Sequence, residues 1–97
     1  MNFKDYLNEA RIHRAIFLVD MPENKAKQLA DDIFDWLDDM DNNDLVTIED
    51  VNVVEGDTED DSIIHVVGAN QYPEKNWKKL VQLLQKEFKT LDFERFA

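Results

Sequence analysis

The spacing of apolar residues changes several times along the chain, and each change predicts a different secondary-structure element. Residues 2–11 carry apolar side chains at helical spacing and predict a short amphipathic helix. Over residues 13–19 the helical spacing is replaced by a continuous apolar run, as in a strand that is buried on both faces. The helical period returns over residues 22–40, with Pro22 at the predicted start. The apolar stripe of this helix comprises Ala26, Leu29, Ala30, Ile33, Leu37 and Met40.

The middle of the chain has the patterns of two strands that are joined by a turn. In the strand predicted over 45–55, the apolar residues switch from even-numbered to odd-numbered positions. This switch predicts a bulge near Glu49 and Asp50. Residues 56–61 are polar and predict the turn. Residues 62–68 are apolar on both parities and predict a second strand that is buried on both faces.

The end of the chain predicts a helix over 73–89 and a short strand over 90–96. The elements after the N-terminal helix therefore follow the order β-α-β-β-α-β. In a ferredoxin-like arrangement of this order, the first and third strands lie at the centre of the sheet. These two are the fully apolar strands here. The sequence thus predicts one α+β domain over 1–97, a ferredoxin-like two-layer sandwich over 12–97 with an extra N-terminal helix over 1–11.

This arrangement places both long helices on one side of the sheet and leaves the other face uncovered. Since large apolar patches rarely stay exposed on soluble monomers, something should cover that open face. Either the N-terminal helix packs there through Phe3, Tyr6 and Leu7, or a second copy of the sheet does. We expect a homodimer that forms through the open face.

Composition limits the class of protein. Ninety-seven residues suit one domain, and the chain has no cysteine from which to form a disulfide. We find no secretory signal pattern, and the apolar run 15–19 is too short to span a bilayer. The expectation is a cytoplasmic protein without a membrane partner.

The net charge of −11 is unevenly distributed. Residues 28–74 contain 15 Asp and Glu residues and no Lys or Arg. Such a surface repels nucleic acid and anionic membranes, and it favours a protein partner with a basic surface. The alternative is an acidic face that serves only solubility. The candidate binding residues are Asp31, Asp35, Asp38, Asp39, Asp57, Glu59, Asp60 and Asp61.

The residues that carry most enzyme chemistry are scarce. The chain has one serine, Ser62, no cysteine and no glycine-rich loop for a phosphate or a dinucleotide. General acid–base catalysis needs two carboxyls in contrasting environments, and the carboxylates here fall mostly on predicted solvent faces or in turns. We expect no catalytic residues and no cofactor.

Two patterns could in principle hold a metal. His13 and His65 fall in the two predicted central strands, but a strand histidine is more often a residue of the sheet than a ligand. Asp39, Asp41 and Asn43 have the spacing that begins an EF-hand loop. That loop also needs a glycine at its sixth position and a glutamate at its twelfth, where this chain has Asp44 and Asp50. We interpret the segment as a helix end and a turn, and expect no metal.

The first eleven residues are Met-Asn-Phe-Lys-Asp-Tyr-Leu-Asn-Glu-Ala-Arg. They resemble the leader segments of internal head proteins of T4-like bacteriophages, which a prohead protease removes by cutting after Glu in a Leu/Ile-x-Glu-Ala/Gly pattern. The resemblance implies a cut between Glu9 and Ala10. It also implies a phage gene, and phages make many small acidic inhibitors, some of them DNA mimics. The host cytoplasm is then the expected location, and a packaged protein in the virion interior is the alternative.

Overall fold

The structure, a computed structural model, describes residues 11–39 and 45–97. Its elements are β1 (Arg11–Val19), α1 (Glu23–Asp39), β2 (Ile48–Glu55), β3 (Ser62–Pro73), α2 (Glu74–Glu87) and β4 (Asp92–Phe96). The predicted α+β class, with four strands and two long helices, is confirmed. The turn predicted over 41–44, after the first long helix, lies outside the described residues, and so do residues 2–10 of the predicted N-terminal helix. Arg11 was expected in that helix but begins β1.

The four strands form one antiparallel sheet in the order β2-β3-β1-β4. The strands β1 and β3, whose sequences are apolar on both parities, occupy the two central positions. Phe17 of β1 pairs with Ile64 of β3 and with Phe93 of β4. This architecture is compatible with a ferredoxin-like class.

Both helices pack against one face of this sheet. Trp77 of α2 is fully buried, and Trp36 of α1 contacts Phe88, just after α2, edge to face. The strand residues of this core include Ala15, Phe17, Val19, Ile64 and Val66, and its helix residues include Ala26, Ile33, Leu37, Trp77, Leu80, Val81 and Leu84. Within 11–39 and 45–97, no helix is long and apolar enough to cross a membrane.

Several element boundaries differ from the predicted ones: β1 begins at Arg11 rather than 13, β2 at Ile48 rather than 45, and β4 at Asp92 rather than 90. β3 continues to Pro73 rather than ending at 68, because Tyr72 and Pro73 pair with the first residues of β1. Residues 68–71 lie between this pairing and that of Val67 with Arg14, where β3 has the extra residues. α2 ends at Glu87 rather than 89, and the amide of Phe88 donates to the carbonyl of Leu84.

The strand pairings shift register at several bulges. The predicted bulge in β2 is confirmed, since its register with β3 shifts between Ile48 and Asp50. The register of β1 with β3 shifts between Ile12 and Arg14, where the extra residues belong to β3. A second bulge lies in β1 at His13 and Arg14, whose amides both donate to the carbonyl of Ala97. Trp77 Nε1 donates to the carbonyl of Ile12 at 2.8 Å, which fixes this second bulge from the helix side.

Replacing Trp77 with Phe should lower the free energy of unfolding by about 2–4 kcal/mol, because it leaves the Ile12 carbonyl without its donor and opens a cavity. Urea denaturation measures the change. Trp36→Phe is the matched control: Trp36 is half-buried and has no hydrogen-bond acceptor among the described residues, so the loss should be clearly smaller. Equal losses in the two variants would show that the bond to Ile12 contributes nothing.

Gly56 begins the turn between β2 and β3, and a side chain there has no room. A Cβ at this position would lie 2.6 Å from the carbonyl oxygen of Asp61, which belongs to the backbone and cannot swing away. We expect Gly56→Ala to destabilise the fold by about 1–3 kcal/mol in thermal unfolding. Asp60→Ala, at the exposed tip of the same turn, should stay within about 0.5 kcal/mol of the unmodified protein.

Candidate functional site

The acidic residues of α1 form a continuous exposed stripe. Asp31, Asp35, Asp38 and Asp39, here called the acidic stripe, are all exposed and lie on the side of the helix opposite its buried residues. The buried residues are Ala26, Ala30, Ile33 and Leu37. Residues three and four apart are neighbours on a helix surface, so the acidic stripe extends about 12 Å along the axis.

The position of these carboxylates is unfavourable for the helix that carries them. Asp38 and Asp39 lie in the last turn of α1, where the helix dipole favours cations. The last turn of α1 has no basic residue. Over 11–39 and 45–97 one ion pair is found, between Lys78 and Glu74 within α2 at 4.0 Å. No ion pair joins the two helices in this part of the chain.

The acidic turn occupies a different part of the surface. Asp57, Glu59 and Asp60 are exposed and Asp61 is half-buried. Directly after this turn, Ser62 Oγ donates to the carbonyl of Met21 at 2.9 Å, which places the turn beside the N-terminal end of α1.

The structure therefore separates the eight predicted binding residues into two groups. The acidic stripe lies on the outer side of the helix layer, in the C-terminal half of α1. The exposed Lys25 and Lys27 occupy the N-terminal half, between the acidic stripe and the turn. Asp57 lines a hollow on the other side of the molecule, on the sheet face that the helices leave uncovered.

This hollow on the open sheet face has a volume of about 390 Å³. Its floor is apolar, formed by Ile16, Leu18 and Ile63. β4 has an extra residue where its register with β1 shifts between Ile16 and Phe17. Because of that irregularity, the adjacent Glu94 and Arg95 both line the hollow.

His65 lies at one end of the hollow, between two arginines. Ile16 pairs with His65 on one side and with Arg95 on the other, so their side chains share the open face. Arg14 Nη1 lies 3.1 Å from His65 Nδ1. Burial lowers the pKa of His65, and the positive charges of Arg14 and Arg95 lower it further. Because arginine has no acceptor atom, Nδ1 accepts this bond and the imidazole proton is on Nε2.

The two histidines do not form a metal site in the described residues. His13 lies in the β1 bulge, where its amide donates to the carbonyl of Ala97, and His65 pairs with Ile16 further along the strand. No group of three or more His, Asp or Glu side chains within 11–39 and 45–97 has the geometry to hold a metal. Asp41 and Asn43 of the EF-hand-like spacing lie outside these ranges.

Sequence reasoning missed Arg14 and Arg95 as site residues. The sequence contained two signals. Arg14, Ile16 and Leu18 occupy alternate positions of β1, and His65 is the one polar residue within the apolar run 63–67. A polar side chain in a strand that is otherwise apolar on both faces marks the position where that strand meets solvent or a ligand.

The phage-leader resemblance concerns residues 1–11, and all of these except Arg11 lie outside the described residues. The cut between Glu9 and Ala10 therefore stays a prediction. Comparison of the chain with protein-family models, with curated proteins and with solved structures found no match.

Proposed function

We propose that this protein is a non-enzymatic binding protein of ferredoxin-like fold, and that its acidic stripe docks on a basic surface of a partner protein. The partner chemistry is a cluster of Lys or Arg side chains, such as a nucleic-acid-binding surface presents. An inhibitor that competes with nucleic acid for such a surface would need the stripe of carboxylates that α1 carries.

The observation that carries this proposal is the cost of the acidic stripe to its own helix. Asp35 has Asp31 and Asp32 one turn before it and Asp38 and Asp39 one turn after it, all exposed. Like charges at these spacings destabilise a helix by about 0.2–0.5 kcal/mol per pair. The helix dipole adds to that cost at Asp38 and Asp39, in the last turn. Folding therefore favours other residues at these positions, and an interaction with a cationic partner is a reason to keep aspartate there.

An exposed aromatic residue beside the acidic stripe supports the same surface. Phe34 is 39% exposed and lies three residues after Asp31 and four before Asp38, so it is a neighbour of both on the helix surface. Protein interfaces are enriched in aromatic residues that act as anchors within a polar rim. Phe34 would supply the apolar contact, and the carboxylates would orient the partner and raise the rate of association.

The surroundings of Ser62 support a role without catalysis. Ser62 is the one serine of the chain, and its hydroxyl is fully buried and donates to the carbonyl of Met21. A serine nucleophile needs an exposed hydroxyl beside a general base. This hydroxyl instead ties the end of the acidic turn to the start of α1.

The cost of the acidic stripe is measurable. Asp35→Lys should raise the free energy of unfolding by about 1 kcal/mol in low salt, because it replaces four repulsive contacts with attractive ones. Asp35→Asn, which is similar in shape and helix propensity, removes only the repulsion and should give about half that gain. Both gains should shrink in about 1 M NaCl, where the screening length falls to about 3 Å.

Urea denaturation at the two salt concentrations makes this comparison. If Asp35→Lys is no more stable than the unmodified protein at low salt, the carboxylates do not oppose folding. The main support for a functional acidic stripe is then lost.

The partner prediction is tested by charge reversal. A variant with Asp31, Asp35 and Asp38 changed to Lys should lose the principal partner in a pull-down from cell lysate, read by mass spectrometry. The loss should correspond to a roughly tenfold or greater weakening, since each lost contact removes attraction and adds repulsion. Binding of the unmodified protein should also fall between two ionic strengths, because exposed charges are screened by salt.

The matched control variant changes the net charge by the same amount, at positions outside the acidic stripe. Glu49, Glu55 and Glu87 are exposed and lie outside α1 and outside the acidic turn, and reversing all three to Lys should leave partner capture intact. Equal loss in both variants would mean that net charge, rather than the acidic stripe, holds the partner. Retention of the partner by the α1 variant, without salt dependence, would show that the acidic stripe serves only solubility.

A further inference from the structure

The cations of the open sheet face are unusual because, among the described residues, no ion pair joins them to a carboxylate. Arg14 is half-buried and Arg95 is exposed, and the ion pair found in the described residues involves neither. This is notable in a chain with 22 Asp and Glu residues and 11 Lys and Arg residues. Arginines in partly buried positions usually have an anionic partner.

Arg14, His65 and Arg95 all present hydrogen-bond donors. Arg14 donates to Nδ1 of His65, which leaves the Nε2 proton of His65 as a donor. Arg95 offers the planar fork of donors that matches a carboxylate. His65 and Arg95 both line the hollow, and Arg14 stands behind His65 and fixes its tautomer.

The rest of the hollow is suited to an apolar body. Ile16, Leu18 and Ile63 form the floor, and the volume of about 390 Å³ is within the range of small-molecule sites. Asp57 and Glu94 line the hollow as well. Their negative charges would repel a second anionic group on the ligand, so the hollow disfavours dicarboxylates and polyphosphates.

We propose that this hollow binds a small organic monocarboxylate, with its carboxylate at Arg95 and His65 and its apolar body on Ile16, Leu18 and Ile63. Arg14 is a positioning residue that acts through His65. The site is independent of the acidic stripe, because the sheet and the helix layer lie between the two surfaces.

The test uses octanoate as the probe and follows the backbone amides of the full chain by two-dimensional NMR. Octanoate should shift the amides of Ile16, Leu18, Ile63 and His65 with a dissociation constant of about 1 mM or below. Octylammonium has the same chain and the opposite charge, and octanedioate adds a second carboxylate. Both should bind at least about tenfold more weakly, because one loses the arginine contact and the other meets Asp57 or Glu94.

Two variants with the same charge change show whether Arg95 is responsible. Arg95→Gln should weaken octanoate binding about tenfold or more, because it removes a charge-assisted contact. Arg11→Gln is the matched control, since Arg11 is exposed on β1 but does not line the hollow, and binding should stay within about twofold. Equal affinities in the two variants would overturn the assignment of the carboxylate to Arg95.

The pKa of His65 distinguishes a carboxylate bound beside the ring from a merely structural effect of the substitutions. The charged groups around His65 are Arg14 from β1, Arg95 from β4, and Asp57 and Glu94 in the wall of the hollow. A carboxylate bound beside the ring favours the protonated imidazole, so octanoate should raise the pKa of His65 in an NMR titration. Arg14→Gln should also raise that pKa in the absence of octanoate, since it removes one of the charges that lower it.

Two results would overturn the proposal. The first is an absence of shifts at the hollow with octanoate at about 10 mM, tenfold above the expected constant. The second is a dimer in light scattering whose contact surface, mapped by concentration-dependent amide shifts, covers Ile16, Leu18 and Ile63. In that case a second copy of the chain occupies the face, as the apolar pattern of the central strands predicts.

Discussion

The bulge between Ile12 and Arg14 decides which side chains of β1 face the helices. Before the bulge, the even-numbered Ile12 points into the core. After it, the odd-numbered Ala15, Phe17 and Val19 point into the core. The extra residue of β1, where the amides of His13 and Arg14 both face the one carbonyl of Ala97, makes this possible. It is held from both sides, since Trp77 donates to the Ile12 carbonyl and the Ala97 carbonyl accepts from the amides of His13 and Arg14.

The same bulge creates the basic end of the open face. With Ile12 turned into the core, Arg14, Ile16 and Leu18 lie on the opposite side of the sheet. In an unbulged strand Ile12 would share that side with Arg14. The tautomer of His65 depends on this placement of Arg14, and so does part of the lowering of its pKa, which burial causes first. A bond between one indole and one carbonyl therefore supports a surface on the far side of the sheet.

The charges of the molecule are segregated across its layers. The acidic stripe lies on the outside of α1, and Arg14 and Arg95 lie on the uncovered face of the sheet. Neither group can reach the other, because the sheet and the helix layer separate them. A net charge of −11 thus coexists with a local cluster of unpaired cations among the described residues. The two surfaces therefore differ in chemistry: one is a row of carboxylates, and the other sets arginines beside an apolar floor with Asp57 and Glu94 in its wall.

Sequence alone determined the elements and much of their arrangement, because burial imposes a readable period on side chains. The continuous apolar runs of β1 and β3 predicted two buried strands, and these lie at the centre of the sheet. The bulge in β2 was predictable because one face of that strand is polar, so a change of parity is visible. Only the tertiary structure revealed the bulge in β1, since a strand that is apolar on both faces shows no change of parity. It also separated the acidic turn from the acidic stripe and brought Arg14, His65 and Arg95 together, because strand register fixes which distant residues meet and leaves no local trace in the sequence.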